Sequence, residues 1–236
     1  MNENPIIVAL DVESAADARK LVSGLDGVVN FYKVGLELYA AEGMPFVKEL
    51  IERGNRVFLD LKLYDISETV KRATARVAAT GVWFLTVHGI KPVMRAAVEG
   101  RGDSPLQLLA VTVLTNLDQN DLADLGYTCT VADLVARRVR QAREAGIDGI
   151  VCSALEAANV RALAGPEAVI VTPGVRSRTA AAGDQKRVTT PAEAIAAGAD
   201  YLVIGRQITR APDPKAEARR VLEEVGSAIN ACGRGA

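Results

Sequence analysis

The sequence predicts a closed parallel (β/α)8 barrel, a TIM barrel, and three observations carry that expectation. Apolar runs of strand length recur along the 236 residues, alanine-rich and charge-studded segments of helical periodicity separate them, and many of those segments stop at a glycine just before the next run. Strands that alternate with helices and are apolar on both faces belong to parallel sheets covered by their own crossovers. An open, doubly wound sheet would instead call for a glycine-rich first turn to receive a dinucleotide. The first turn here, Asp11-Val12-Glu13-Ser14, holds no glycine. We therefore expect one barrel domain over residues 1–236, a length that such barrels routinely fill.

Taken in order, the expected strands are residues 6–10, 31–35, 56–61, 83–87, 106–114, 149–152, 169–171 and 201–204. Each is too short for a buried helix and rich in β-branched residues or leucine. Helix starts are marked by Ser14 with Asp17 and by Thr130 with Asp133, the spacing of a capping box. Thr190-Pro191-Ala192-Glu193 adds proline in a first helical turn. Gly54, Gly81, Gly146 and Gly198 mark helix ends, where glycine adopts the left-handed conformation at no steric cost. The polar stretch 116–130 reads as the longest connector, with no shift of composition that would suggest a domain boundary.

Composition removes several classes of function. With 28 Lys+Arg against 29 Asp+Glu the net charge is −1, and four Phe, five Tyr and one Trp leave little for base stacking. Nucleic acid is not an expected partner. The charge-free stretches 77–90 and 104–117 fall short of the roughly 20 apolar residues that span a bilayer. Glu3 and the early stop of the first apolar run at Asp11 do not resemble a signal peptide. A cytoplasmic location without membrane contact is expected. Cys129, Cys152 and Cys232 are odd in number and form no Cys-x-x-Cys pair, against both a disulfide framework and a thiolate zinc site. The single histidine, His88, excludes a three-histidine or HExxH metal site and leaves a Ser-His-Asp triad only that one residue to use.

Active sites of such barrels lie at the carboxyl ends of the strands. Those ends read Asp11, Lys33, Asp60 with Lys62, His88, Thr115, Ser153, Thr172 to Arg176, and Gly205-Arg206. Residues two apart on a strand share a face, so Asp60 and Lys62 both point inward if Leu59 and Leu61 point outward. Inward charge is costly unless paired, and Lys33 and Asp11 on neighbouring strands complete an alternating array. An ion-pair plug serving stability alone would gain little over apolar packing, which favours function. On the other side of the ring, Thr172-Pro173-Gly174-Val175-Arg176 and Gly205-Arg206 have the composition of a phosphate site, since arginine's fork matches phosphate oxygens. Gly183-Asp184-Gln185 could close over it with an amide donor. Ser153 stands three residues before Glu156 and suits a helix cap as well as a ligand role. Thr115 and His88 are weaker candidates: a lone histidine is more often a satisfied core group than a ligand, and for Thr115 the competing reading is a strand-end hydroxyl alone.

Asp60-x-Lys62-x-x-Asp65-Ile66-x-x-Thr69 resembles the motif of the orotidine 5′-phosphate decarboxylases. So do, in order, Ala9-Leu10-Asp11, Lys33-Val34-Gly35-Leu36-Glu37, the segment 109–115, Val151-Cys152-Ser153-Ala154, Val171-Thr172-Pro173-Gly174-Val175-Arg176, Gly183-Asp184-Gln185 and Ile204-Gly205-Arg206. Tyr64, Glu68 and Ile90-Lys91 depart from the family's usual residues and flank the charged positions without replacing any. The resemblance implies a decarboxylase that converts orotidine 5′-phosphate to UMP and CO2 without metal or organic cofactor. It implies Lys62, Asp60 and Asp65 as catalytic groups, and a homodimer in which Asp65, Ile66 and Thr69 reach the neighbouring subunit's site. Asp11 and Lys33 would position ribose hydroxyls, and Thr115 and Ser153 would face the pyrimidine. Pro173, Arg176, Gln185, Gly205 and Arg206 would surround the phosphate. The alternatives are a Mg2+-dependent enzyme similar to 3-keto-L-gulonate 6-phosphate decarboxylase and a non-catalytic barrel that binds a phosphate ligand.

Overall fold

The computed structural model describes residues 4–177 and 189–231, and every expected strand is present. The strands are β1 (Ile6–Ala9), β2 (Phe31–Gly35), β3 (Arg56–Leu63), β4 (Phe84–His88), β5 (Gln107–Val111), β6 (Gly149–Val151), β7 (Val169–Pro173) and β8 (Tyr201–Ile204). They pair in chain order, all parallel, and β8 closes on β1 with Ile7 opposite Val203. The helices are α1 (Ala15–Gly24), α2 (Leu36–Glu52), α3 (Ser67–Ala78), α4 (Lys91–Arg101), α5 (Gln119–Asp124), α6 (Val131–Ala145), α7 (Ala157–Ala164), α8 (Pro191–Ala196), α9 (Arg206–Thr209) and α10 (Pro214–Ala231). Among the described residues no helix is long and apolar enough to cross a membrane.

Local chemistry explains most boundaries. Ser14, Thr130 and Thr190 accept the backbone N–H of Asp17, Asp133 and Glu193, satisfying donors that a helix start leaves open. Gly54, Gly81, Gly146 and Gly198 all have positive φ. Two expectations are corrected. The stretch 116–130 is not all connector, because Asp118 accepts from Asn120 and Asp121 while Asp121 accepts from the Asp118 N–H, and this reciprocal cap starts α5. β5 stops at Val111 instead of reaching residue 114, since the Arg138 guanidinium on α6 takes the Thr112 carbonyl.

The pleat sorts the apolar residues into two layers. Ile6, Val8 and Leu10 pack outward in the large cluster between strands and helices, while Ile7 and Ala9 point into the barrel. Phe31, Phe58 and Phe84 fill the interior; Phe84 lies 5.3 Å from Phe31 and meets Phe58 edge-on at 5.9 Å. Tyr201 stands edge-on to Phe31 and Phe84 at 5.6 and 5.5 Å. This aromatic floor occupies the inward positions immediately before Lys33, Asp60 and Thr86, and so dictates that the next inward side chains stand above it.

Gly149 makes the barrel wall tight at β6. A Cβ there would lie 2.4 Å from the Val169 carbonyl oxygen and 2.6 Å from Leu109 Cδ2. The obstacle is partly backbone of a neighbouring strand, which cannot turn aside. Gly149→Ala should therefore destabilise the fold by about 1–3 kcal/mol, lowering the melting temperature by several degrees, about 2–4 °C for each kcal/mol in a chain of this size. An unchanged melting temperature in calorimetry would show that β6 and β7 are not packed this closely.

Candidate active site

Above the aromatic floor four charged side chains form a continuous array. Lys33 Nζ lies 2.8 Å from Asp11 Oδ1 and 4.0 Å from Asp60 Oδ2, and Lys62 Nζ donates to the same Asp60 Oδ2 at 2.8 Å. The side chains of Lys33 and Asp60 are 11% and 13% exposed, against 29% for Lys62 and 52% for Asp11. The pair buried deepest is thus the central one, flanked by partners of opposite sign that offset its desolvation. Room for the Lys33 ammonium comes from Gly35, where a Cβ would sit 2.8 Å from Nζ.

Lys62 reaches the array by a route that strand alternation alone does not describe. Its φ is +48°, the only positive value at a non-glycine position among the described residues. The β3–β4 ladder is regular to Leu59↔Leu85 and resumes at Leu63↔Val87, with the register shifting between. The simple expectation that Asp60 and Lys62 share a face through a regular pleat is corrected: a bulge re-aims Lys62, as bulges beside active sites commonly do. Its N–H donates to Thr86 Oγ1 at 2.9 Å, and Thr86 Oγ1 donates to Asp60 Oδ1 at 2.8 Å.

The array opens into a cavity of about 560 Å³. Asp11, Lys33, Asp60, Lys62, Thr115, Pro173, Arg176, Gly205 and Arg206 all line it, which gathers nine of the residues expected from the sequence. Arg206 opens α9, and Arg210 follows it into the lining one turn later. Burial and the nearby Arg206 charge both push the Arg176 guanidinium below its ordinary pKa. Arginine stays protonated regardless, so two like charges share one side of the cavity, an arrangement suited to an anion. The loop carrying Arg176 is anchored at Ser177: its N–H donates to Gln207 Oε1 at 3.0 Å and its hydroxyl to Glu224 Oε2 at 2.7 Å.

Asp65, Ile66 and Thr69 are not brought into this cavity. All three are exposed beyond the end of β3, where Asp65 Oδ1 accepts the Ile66 N–H at 2.6 Å. Ser153 is fully buried and caps the short 3₁₀ turn Ala154–Glu156 by accepting the Leu155 N–H; it does not line the cavity. Gln185 lies outside the described residues. Sequence reasoning missed Thr86, although alternation along Phe84, Thr86 and His88 marks it as inward-facing, and missed Arg210, four residues after Arg206 on the same helical approach.

His88 ends β4 half-buried, with the Tyr64 ring 5.2 Å away and tilted by 47°. Burial, then the charges of Arg138 and Lys62, push its pKa below the ordinary value. The imidazole is therefore neutral in the folded protein at neutral pH. Because the unfolded chain binds this proton more readily, the contribution of His88 to stability is fully present above about pH 6.5 and is lost as the pH drops from there through the lower folded pKa. As the chain has one histidine, a single imidazole C2 proton resonance reports it in an NMR titration. The midpoint should lie below that of the urea-unfolded chain, and a midpoint at or above it would contradict the described environment.

The chain is similar to known proteins over nearly its whole length. The model of the orotidine 5′-phosphate decarboxylase / HUMPS family matches residues 4–221. The orotidine 5′-phosphate decarboxylase of Nitrobacter winogradskyi is 52% identical over 224 residues, covering 95% of this chain and 93% of that protein. That of Afipia carboxidovorans is 54% identical over 223 residues, covering 94% and 95%. Among solved structures, orotidine 5′-phosphate decarboxylase from Lactobacillus acidophilus superposes with a TM-score of 0.83 at 33% identity, covering 94% of this chain and 99% of that one. With the barrel, the paired lysines and carboxylates, and this likeness over nearly its whole length, the chain belongs to the orotidine 5′-phosphate decarboxylase / HUMPS family.

Proposed function

We infer that the protein removes CO2 from orotidine 5′-phosphate to give UMP, as a carbon–carbon lyase of pyrimidine nucleotide synthesis, with Lys62 as the proton donor. The observation that carries this reading is one cavity holding the Asp11–Lys33–Asp60–Lys62 array on one side and Arg176 with Arg206 on another. Breaking the bond between pyrimidine C6 and its carboxylate leaves an electron pair on C6, with no adjacent carbonyl to take it up. A fixed ammonium meets that charge as it forms, in a site shielded from water, where such interactions are strongest. Lys62 then passes a proton from Nζ to C6 and recovers one from solvent. Asp60 holds the ammonium and lies beside the departing carboxylate. No step calls on a metal or an organic cofactor.

Lys33 and Asp11 position the ribose hydroxyls, Thr115 lines the base pocket, and Arg176, Gly205 and Arg206 take the phosphate with Pro173 shaping the approach. Since the phosphate is remote from C6, its binding contributes to catalysis by orienting the base against Lys62. Asp65, Ile66 and Thr69 serve a second subunit. In support, Ile66 itself and the neighbouring Tyr64 are 73% and 66% exposed, apolar surface of the kind that a partner copy covers. Cys129 and Cys152 are thiols rather than disulfide partners, as suits a reducing cytoplasm.

Purified protein should consume orotidine 5′-phosphate, read as the change in its ultraviolet absorbance. Lys62→Ala should lower kcat by at least about a thousandfold with the circular dichroism spectrum retained. Substantial turnover by folded Lys62→Ala would remove it as the acid.

The shared site has its own test. Lys62→Ala damages a subunit's own cavity, whereas Asp65→Ala damages the neighbour's. Exchanging subunits between the two inactive variants should yield a heterodimer with one cavity carrying both defects and one carrying neither, restoring close to half of the wild-type activity per heterodimer. Heterodimers verified by mass spectrometry yet inactive would place Asp65 in its own chain's chemistry.

A further inference from the structure

We propose that Thr86 is the positioning residue that aims Lys62 and Asp60 at each other and at the substrate; this rests on Lys62 being the proton donor. Between the ladder pairs Leu59↔Leu85 and Leu63↔Val87, residues 60 to 62 of β3 stand opposite Thr86 alone. A bulge of that size removes backbone pairing where the catalytic groups sit. The Thr86 hydroxyl, fully buried, substitutes for it. As acceptor it takes a hydrogen bond from the Lys62 N–H at 2.9 Å, and as donor it gives one to Asp60 Oδ1 at 2.8 Å.

Each bond fixes a different freedom. The first holds a non-glycine residue at φ +48°, a conformation that costs free energy and persists only where its surroundings enforce it. The second fixes the rotation of the Asp60 carboxylate. With Oδ1 engaged by Thr86, Oδ2 is the oxygen presented to both Lys62 at 2.8 Å and Lys33 at 4.0 Å. One hydroxyl therefore sets the backbone of the acid and the orientation of the carboxylate that holds it. A valine in its place has nearly the same shape and neither capability. Lys62 would then leave the left-handed conformation, and the carboxylate would turn.

Three variants test this. Thr86→Val should lower kcat roughly ten- to a hundredfold, the range for losing hydrogen bonds to a charged group. Its KM should stay within about threefold, since the phosphate and ribose contacts are intact. Thr86→Ser restores the hydroxyl and should return kcat to within about threefold of wild type. A folded Thr86→Val enzyme with wild-type kcat overturns the proposal, as does a folded Thr86→Ser enzyme as slow as Thr86→Val. If Thr86→Val does not fold, Thr86→Ser decides alone: a loss of kcat with unchanged melting temperature overturns the role, and retained kcat supports it. Lys62→Ala separates the two levels. Retained activity there removes the donor assignment whatever Thr86 does, whereas an inactive Lys62→Ala beside a fully active Thr86→Val removes only the positioning role.

Discussion

The structure is organised around one oxygen atom, Asp60 Oδ2, which faces two ammonium groups at the barrel mouth from a side chain only 13% exposed. Lys33, 11% exposed, could not be held so far from water without a carboxylate, and a lone buried carboxylate would be as costly. The surrounding features meet that constraint. Asp11 completes the pairing of Lys33 from the solvent side, Gly35 yields space to its ammonium, and the phenylalanine floor denies the charges a solvated exit downward. Replacing the array by apolar side chains would cost the fold little. On the proposed function, its value lies in holding opposite charges ready for a reaction that creates a new one.

The two ends of the barrel divide stability from chemistry. Below the floor Arg56 stacks on Phe31 at 4.8 Å and Trp83 at 5.3 Å, sealing the amino-terminal end with a cation over aromatic faces. Around the same end Arg161 gathers the carbonyls of Gly165, Pro166 and Ala168 and pairs with Asp200, fastening the turns between helices and strands. At the carboxyl-terminal end the corresponding residues face a cavity, and the strand ends are left to loops whose sequence is free to carry function.

Much of this was legible in the residues, for physical reasons that also mark where legibility stopped. Strands buried on both faces must be apolar throughout, so all eight appeared as runs, and caps such as Ser14 and Thr130 are local enough to read directly. Asp60 and Lys62 stood out because charge at an inward position is rare. The bulge at Lys62 did not, since it depends on how β3 and β4 pair, and pairing is not written in either strand alone. Thr86 was overlooked for the related reason that a threonine in a strand is ordinary until its partners are known. Helix α5 was missed because its Asp118–Asp121 cap is a less familiar form of the capping box. Of the two readings offered for Ser153, its burial and its bond from the Leu155 N–H realise the cap, and the side chain does not line the cavity.

Ring closure gives the cavity a built-in ruler. Gly205 and Arg206 follow β8, Asp11 follows β1, Lys33 lies on β2 and Asp60 with Lys62 on β3, so the anion seat and the ammonium array are joined through consecutive hydrogen-bonded strands. Each interstrand step is fixed at about 4.8 Å by the ladder, and the register Val8↔Ile204 locks the first step along the strand axis. The span between the seat and the array is thereby a property of the sheet, far stiffer than any loop. A phosphorylated molecule whose reactive carbon stands at another distance from its phosphate can occupy one end or the other. It cannot bring both into play at once, so on the proposed function the barrel would select its substrate by length before any side chain reads its chemistry.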